Sequence, residues 1–354
     1  MKIDSNILKG WLQGLFSCAG LKHKDASLVA SNIIEAEMRG VYSHGLLLTR
    51  LYVDRIKSGG ISSNYNITTR KDSNNILLLD GDGGSGQSLA TYAVEKGIKR
   101  AKKHGIAWVG LVNSNHVGML ATYGLQIAGE NMLGLIMTNS GPSVAVHGGK
   151  GKKMGNNALC FAIPNQKTPF IFDMATGVVA CGKIRYAHLQ GDALPSNWLC
   201  DSNGDNTTQP NYLDNGGFVL PFGKHKGFGI SLLIDILTAI LPGSIPSPKV
   251  LNQRWNLDKA TGASQGFWIF NPEQLTSLEG LKYRLNEYFC ELKRSTPLND
   301  SNKIILPEEK EYSKYQQSLN GVFLSKQTLN HLSKAAAIVD YTPLQTRQVL
   351  QFAN

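Results

Sequence analysis

Two histidines stand where an imidazole could exchange a proton with a bound molecule. His116 lies in Ser114-Asn115-His116-Val117-Gly118, where an apolar run over 106–112 gives way to a helix expected from near Met119. The carboxyl end of a strand in an open α/β sheet is where ligands usually sit. With an unperturbed pKa of about 6.5, a histidine there can give or take a proton near neutrality. A loop histidine satisfied by local hydrogen bonds fits the same pattern. His44 lies in Arg39-Gly40-Val41-Tyr42-Ser43-His44-Gly45, with Ser43 read as an N-cap and His44 in the first turn of the following helix. Backbone N–H groups and the helix dipole favour an anion there, and they also favour the neutral imidazole. Neither histidine has a GxSxG or HExxH context that would name a reaction.

Glycines supply two further candidates. Gly81-Asp82-Gly83-Gly84-Ser85-Gly86 is formally GxGxxG between a strand and a helix. In a Rossmann unit these glycines let a pyrophosphate approach a helix N-terminus, and an acid about 20 positions on holds the ribose. Here the next strand ends in Asn113-Ser114-Asn115 with no acid. The segment therefore reads as a dinucleotide fingerprint or as a glycine-rich strand-to-helix turn, the second being favoured. Lys226, in Gly223-Lys224-His225-Lys226-Gly227, precedes a helix opened by Gly227 and Gly229. It suits a phosphate or carboxylate, or is a solvated basic turn. The five cysteines, at 18, 160, 181, 200 and 290, contain no CxxC pair and no zinc-like spacing, so no metal is expected. A sparse, odd set fits reduced thiols in a cytoplasm.

The elements that must position these residues alternate. The first 60 residues read as helices over 5–19, 25–38 and 43–57, closed by Gly59-Gly60. From Asn75 on, strand-like runs at 76–79, 106–112 and 133–138 are separated by helices over 88–104 and 119–130, as in an α/β layer fold. Further strands are expected at 158–163, 170–172 and 267–270, an irregular connection over 191–217, and a mostly polar helical C-terminal part. The division expected is a helical segment 1–70, a central α/β domain 71–270 that binds cofactor and substrate, and a helical segment 271–354 packing with the first. With 354 residues, 42% hydrophobic and 18% charged, the composition excludes a mostly disordered chain or a membrane bundle. The longest apolar stretch, 228–241, is interrupted by Asp235 and too short for a span of roughly 20 residues. The N-terminal apolar residues have helical spacing and not a signal-peptide core, so a cytoplasmic protein is expected. The net charge of +10 is mostly dispersed, and its densest clusters carry no interleaved aromatics, which argues against nucleic acid and for anionic small molecules.

Taken in order, these segments resemble the type-2 malate/L-lactate dehydrogenase family over most of the chain. The family's RG, two residues and SHG is met by Arg39 to Gly45, and Tyr52, Ile56 and Gly59-Gly60 continue it. LDGDGGxGQ is met by Leu79 to Gln87, the histidine and glycine at a strand end by His116 and Gly118, DMA by Asp173 to Ala175, and KGxG by Lys226 to Gly229. The resemblance implies a homodimer with a nicotinamide-binding fold of its own, a mixed central sheet with helical N- and C-terminal segments, and not a doubly wound Rossmann sheet. It implies His116 as the proton acceptor assigned in some members and His44 as the donor assigned in others. It places cofactor contacts on Ser140, on Phe170, Ile171, Phe172, Asp173, Met174, Ala175 and Thr176, on His225 and Lys226, and on Glu308 and Glu309.

The implied reaction moves a hydride between nicotinamide and C2 of a small 2-hydroxy or 2-keto acid of malate, lactate, ureidoglycolate or sulfolactate type. It requires a proton to leave or reach the C2 oxygen, which an imidazole can serve in both directions. The departures bear on specificity. Many members carry an arginine three residues after the glycine of SHG, suited to clamp a carboxylate; here that position is Leu48. Arg50, about 200° round a helix from it, and Ser43 are the candidates left for the substrate. The family's PGE is Pro307-Glu308-Glu309, and a carboxylate at Glu308 facing the ribose would repel a 2'-phosphate, so either this side chain points away or the preference is for NAD, which is favoured slightly over NADP. A cyclic imine-2-carboxylate reductase and a catalytically silent metabolite-binding member are the alternatives.

Overall fold

Seven strands from the middle of the chain make one mixed sheet in a computed structural model that describes residues 1–299, 303–342 and 344. The other positions of the expected 271–354 segment lie outside the described residues. The strands are β1 (Thr68–Asp72), β2 (Ile76–Asp80), β3 (Ile106–Ser114), β4 (Leu133–Thr138), β5 (Ala158–Ile163), β6 (Phe170–Ala175) and β7 (Ala263–Phe270). Their spatial order is β1-β2-β3-β7-β4-β5-β6. Only β2 and β3 run parallel, Leu77 beside Val109 and Leu79 beside Leu111; the other neighbours are antiparallel. The late strand β7 is inserted between β3 and β4, so the sheet is mixed and not doubly wound. Period-2 alternation explains the strands: Leu77 and Leu79 are buried while Ile76 is exposed, and Ala107, Val109 and Leu111 are buried from the same face of β3.

Helices cover one side of this sheet. The β2 to β3 connection runs through α4 (Gly86–His104), and β3 leads to α5 (Ala121–Gly129). Ala90, Ala93 and Val94 of α4 share a core with Val109, Ile136 and Phe267. A second core joins the two ends of the chain. It is built by α1 (Ser5–Ala19), α2 (His23–Met38) and α3 (Thr49–Lys57) with Leu332, Ala335 and Ala336 of the late helix Lys326–Ala337. Leu8, Leu12, Leu15 and Phe16 are fully buried at helical spacing, each contributing about 2 kcal/mol by area. The short strand Lys2–Ile3 pairs antiparallel with Val322–Phe323 and ties the same two regions together.

Two expectations are corrected. No single helix covers 43–57: short 3-10 turns occupy Tyr42–His44 and Leu46–Leu48, and α3 begins at Thr49. The cause is Glu37, whose carboxyl group accepts from the Leu46 backbone N–H at 3.0 Å through Oε2 and packs where a Cβ on Gly45 would stand. Ser43 is therefore not an N-cap, and its hydroxyl lies 3.0 Å from Nδ1 of His44 instead. The edge strand β1, which crosses the boundary expected at 70 between the helical segment and the α/β domain, was invisible to an apolar-pattern reading because all of Thr68–Asp72 is exposed. It is held by the Arg70 to Asp80 and Arg100 to Asp72 ion pairs and by pairing with β2. Among the described residues no helix is long and apolar enough to cross a membrane.

Candidate active site

The carboxyl end of β3 is fastened by one buried side chain. Nδ2 of Asn115 donates to the carbonyls of Gly60, Gly83 and Gly84 at 3.1, 2.8 and 3.1 Å, and its Oδ1 accepts from Arg55 and from the Thr261 N–H at 2.9 and 3.0 Å. The amide thus joins the end of α3, the glycine turn and the 261 loop immediately before His116. The glycine turn is built for that contact. A Cβ on Gly86 would collide with the carbonyls of Asn115 and His116, so only glycine lets the start of α4 lie against this loop.

His116 and His44 meet here. Their rings stack with centroids 5.6 Å apart and planes inclined by 11°. Tyr52, buried on α3, brings its hydroxyl to 2.7 Å from Nδ1 of His116, and the Gly118 N–H donates to the same nitrogen at 3.3 Å. Both rings are half-buried, which leaves part of each accessible. Burial first, then Lys183, lowers His44 to about 4. Burial first, then His44, Arg254 and Arg55, lowers His116 to about 3. Both imidazoles are therefore neutral in the free protein at neutral pH.

The cations differ in what they are free to do. Arg55 is saturated: besides Asn115 it bonds the carbonyls of Gly60, Gln253, Asn256 and Lys259 at 2.7–3.1 Å. Arg254 lies inside the loop those bonds anchor, and among the described residues its guanidinium makes no hydrogen bond or ion pair. Its charge reaches His116 and Tyr52, and burial lowers it to about 10, so it stays charged. Lys183 is exposed on α6 (Cys181–Gln190) and lines a cavity of about 350 Å³ with Tyr42, Ser43, Tyr186, Asp192 and Trp198. Arg50 is not brought to this site. It faces solvent with its side chain 49% exposed and pairs with Asp54 at 3.7 Å, because Leu51, Tyr52, Val53 and Arg55 take the inner face of α3.

The expected cofactor residues converge on an adjacent region. Asn157 accepts from the Ser140 N–H through Oδ1 at 3.0 Å, and its carbonyl accepts from the N–H and hydroxyl of Thr176, both at 2.9 Å. The Thr176 carbonyl accepts from the Phe222 N–H at 3.0 Å, which brings in the turn leading to His225 and Lys226, both exposed at the start of α7 (His225–Asp235). Along β6, Phe170, Met174 and Ala175 are half-buried, Ile171 is buried, and Phe172 is exposed. Asp173 accepts from the Ala121 N–H at 2.8 Å, which ties this strand to the segment following His116. Glu308 is buried and paired with Arg39, which in turn bonds Glu35; burial raises its carboxyl to about 7 against the pull of Arg39. The side chain is thus directed into the protein toward α2. Glu309 pairs with Lys293 and accepts from the Leu306 N–H at 3.1 Å. Among the described residues no group of three His, Cys, Asp or Glu is placed to hold a metal ion.

Sequence reasoning had Tyr52 only as part of a pattern and missed Arg254, Lys183, Arg55 and Asn115 as parts of the site. Arg254 sits in a loop without periodicity, so only the contacts that anchor the loop disclose it.

A neutral histidine pair beside an unpaired cation, at a strand end, is equipment for moving a proton at an oxygen of an anionic molecule, which is what dehydrogenases of hydroxy acids require. The sequence model of the family described as malate/L-lactate dehydrogenase matches residues 3–333. The chain is 35% identical over 353 residues to a malate dehydrogenase of Pyrococcus abyssi, covering 98% of this chain and 97% of the relative. It is 30% identical over 324 residues to an NAD(+) ureidoglycolate dehydrogenase of Escherichia coli O157:H7, covering 91% and 92%. The solved structure of a malate dehydrogenase from Pyrococcus horikoshii OT3 superposes with a TM-score of 0.90 at 32% identity, over 97% of each chain. The chain belongs to the malate/L-lactate dehydrogenase family and, as a member, is a dehydrogenase.

Proposed function

We propose that this dehydrogenase transfers a hydride between a nicotinamide dinucleotide and C2 of a small 2-hydroxy or 2-keto acid, with the proton handled at the His44 and His116 pair. The observation that carries the reading is that stacked, half-buried pair, 5.6 Å between centroids, with Arg254 unpaired beside it. Arg254, and not Arg50, is the cation offered to the substrate's carboxylate, while Ser43 and Lys183 border the cavity that would take the rest of the molecule.

The residues fit a dinucleotide. Lys226 supplies a cation and His225, with the His147 ring 6.1 Å from its own, an imidazole at the start of α7 for a pyrophosphate. Gly148 and Gly229 leave open space where a Cβ would stand. Ser140, Thr176 and the β6 backbone from Phe170 to Ala175 would hold the rest. When bound, nicotinamide supplies or accepts the hydride. The chain's own residues then hold the acid against Arg254, present the histidine pair to the C2 oxygen, and neutralise the charge that develops there. The expectation that Glu308 faces the ribose does not hold, because its carboxyl is buried against Arg39; NAD is kept as the favoured form on a relative's name alone. The related ureidoglycolate dehydrogenase is named for NAD(+).

The enzyme is proposed to work as a homodimer in the cytoplasm. Leu233, Ile236, Ile240 and Leu241 are 48–69% exposed along α7 and the turn after it, a stripe suited to a second copy. Cys18 and Cys290 are exposed thiols that suit a reducing compartment. Turnover of NADH and NADPH against a panel of 2-keto acids, with a cyclic imine-2-carboxylate included, tests the reading. Oxidation of NADH with at least one 2-keto acid is expected. No turnover in either direction, together with no quenching of protein fluorescence by either cofactor, would overturn it. Sedimentation of the wild type and of Leu241→Lys tests the dimer, which the charged variant should weaken.

A further inference from the structure

The two histidines are not equivalent, and their hydrogen-bond partners say which one can hold an extra proton. A backbone amide only donates. The Gly118 N–H at 3.3 Å from Nδ1 of His116 therefore requires a lone pair on that nitrogen. The Tyr52 hydroxyl, 2.7 Å from the same nitrogen, must then donate as well. Gln87, whose buried Nε2 makes no hydrogen bond, opposes the burial of the phenol as a nearby donor, which is consistent with the phenol proton going to His116. The proton of the neutral His116 ring is thus on Nε2, and a second proton on Nδ1 would face two donors. His44 has no such constraint. Its Nδ1 is 3.0 Å from the Ser43 hydroxyl, which can donate or accept, so this ring can carry one proton or two.

We propose that Tyr52 is a positioning residue that, with the Gly118 amide, holds His116 as the neutral Nε2–H tautomer, so that His116 polarises the substrate oxygen and His44 exchanges the proton. The inference rests on the reaction proposed above. In the reductive direction the hydride forms the new C–H bond at C2, the carbonyl π pair moves to oxygen, and the imidazolium of His44 gives its Nε2 proton to that oxygen. His44 returns to the neutral ring, and His116 keeps its own proton, donating a hydrogen bond throughout. Oxidation is the reverse: neutral His44 takes the hydroxyl proton as the hydride leaves C2. An anionic substrate set beside His44 offsets the burial and the Lys183 charge that otherwise keep it neutral.

The test is ¹⁵N NMR of histidine-labelled protein, free and with cofactor, together with pH–rate profiles of three variants. In the wild type, His116 is expected to show a protonated Nε2 and an unprotonated Nδ1 at every pH where the protein is folded. Tyr52→Phe should populate the other tautomer and lower kcat about tenfold or more, with cofactor quenching of fluorescence unchanged. A merely structural tyrosine would lower thermal stability and leave the tautomer as it was. His116→Gln, whose amide still donates, should retain a measurable rate, whereas His44→Gln should lose about 10²- to 10⁴-fold. A wild-type His116 carrying its proton on Nδ1, or a His44→Gln enzyme more active than His116→Gln, overturns the assignment. The tautomer is read on the resting protein, so it stands or falls even if no 2-keto acid turns over, and the two readings fail separately.

Discussion

Arg55 is where the geometry makes its most severe demand. The side chain is 1% exposed, and its two terminal nitrogens make five hydrogen bonds, to the carbonyls of Gln253, Asn256, Gly60 and Lys259 and to Oδ1 of Asn115. Arg55→Met keeps the stem and removes all five. Asn115 would keep Thr261, and the Gly60 carbonyl would keep Asn115, so three carbonyls are left without a donor. At about 1–3 kcal/mol for each stranded group, partly relieved by water and by removing a buried charge, the loss is about 4 kcal/mol. An unfolding entropy of about 2.1 cal/mol/K per residue gives about 0.7 kcal/mol/K over the 354-residue chain, so Tm should fall by about 5 °C. The damage should be directional as well. The loop released carries Arg254, so KM for the acid substrate should rise by more than the Kd for the cofactor, whose proposed contacts lie on β6 and α7. Calorimetry and initial rates measure both. A Tm within 1 °C of wild type with KM unchanged would refute the clamp. Arg55→Lys, whose three donors on one nitrogen cannot span these acceptors, should recover less than half of the loss.

Three other outcomes follow from the same geometry. Arg254→Leu should raise KM for the 2-keto acid about 10- to 100-fold, the equivalent of about 1.5–3 kcal/mol for a charge-assisted hydrogen bond, while a fluorescence titration with the cofactor stays as in wild type; an unchanged KM would remove Arg254 from the site. In the oxidative direction His44 must be neutral to accept the proton, so kcat/KM should be flat above and decline as pH falls through about 4, and a break near 6.5 instead would contradict the burial of the ring. Glu37 is raised from 4.5 to about 7 by burial, so the folded state holds its proton more tightly than the unfolded one. Its contribution is therefore full below 4.5 and is lost as pH rises through about 7, at about 1.4 kcal/mol for each pH unit, or about 3 kcal/mol in all. Glu37→Gln should flatten that part of the stability curve in denaturant titrations, and an unaltered slope would count against a protonated Glu37.

Much of this architecture is legible in the sequence, and the parts that are not share a physical cause. Strands such as Ile76–Asp80 and Leu133–Thr138 announce themselves because one face is buried and residue types must alternate or run apolar. Thr68–Asp72 is an edge strand with no buried face, held by its neighbour's backbone and by two ion pairs, and so carries no apolar signal. The helix expected over 43–57 failed because its spacing was right from Thr49 onward while a tertiary contact, Glu37 on Leu46 and Gly45, forbids continuation upstream. Position 50 looked suited to the substrate by being a nearby arginine. The inner face of α3 is already filled by Tyr52 and Arg55, which leaves Arg50 to solvent and to Asp54.

The glycine segment shows how a pattern can be present and its meaning lie elsewhere. Gly81 to Gly86 has the spacing of a phosphate-binding turn, and it joins a strand to a helix through the only parallel strand pair of the seven-stranded sheet, as such a turn would. Its tight approach, however, is to protein. The carbonyls of Gly83 and Gly84 accept from Asn115, and the missing side chain of Gly86 makes room for the carbonyls of Asn115 and His116. Spacing alone cannot separate the two uses, because both need a backbone that another group can approach closely. The absent acid at the end of β3 separates them. Where a ribose partner would stand, the strand ends in Asn113-Ser114-Asn115, and Asn115 is committed to five hydrogen bonds that fix the loop carrying His116. The glycines therefore act on the candidate site by setting the place of His116 against Tyr52 and His44.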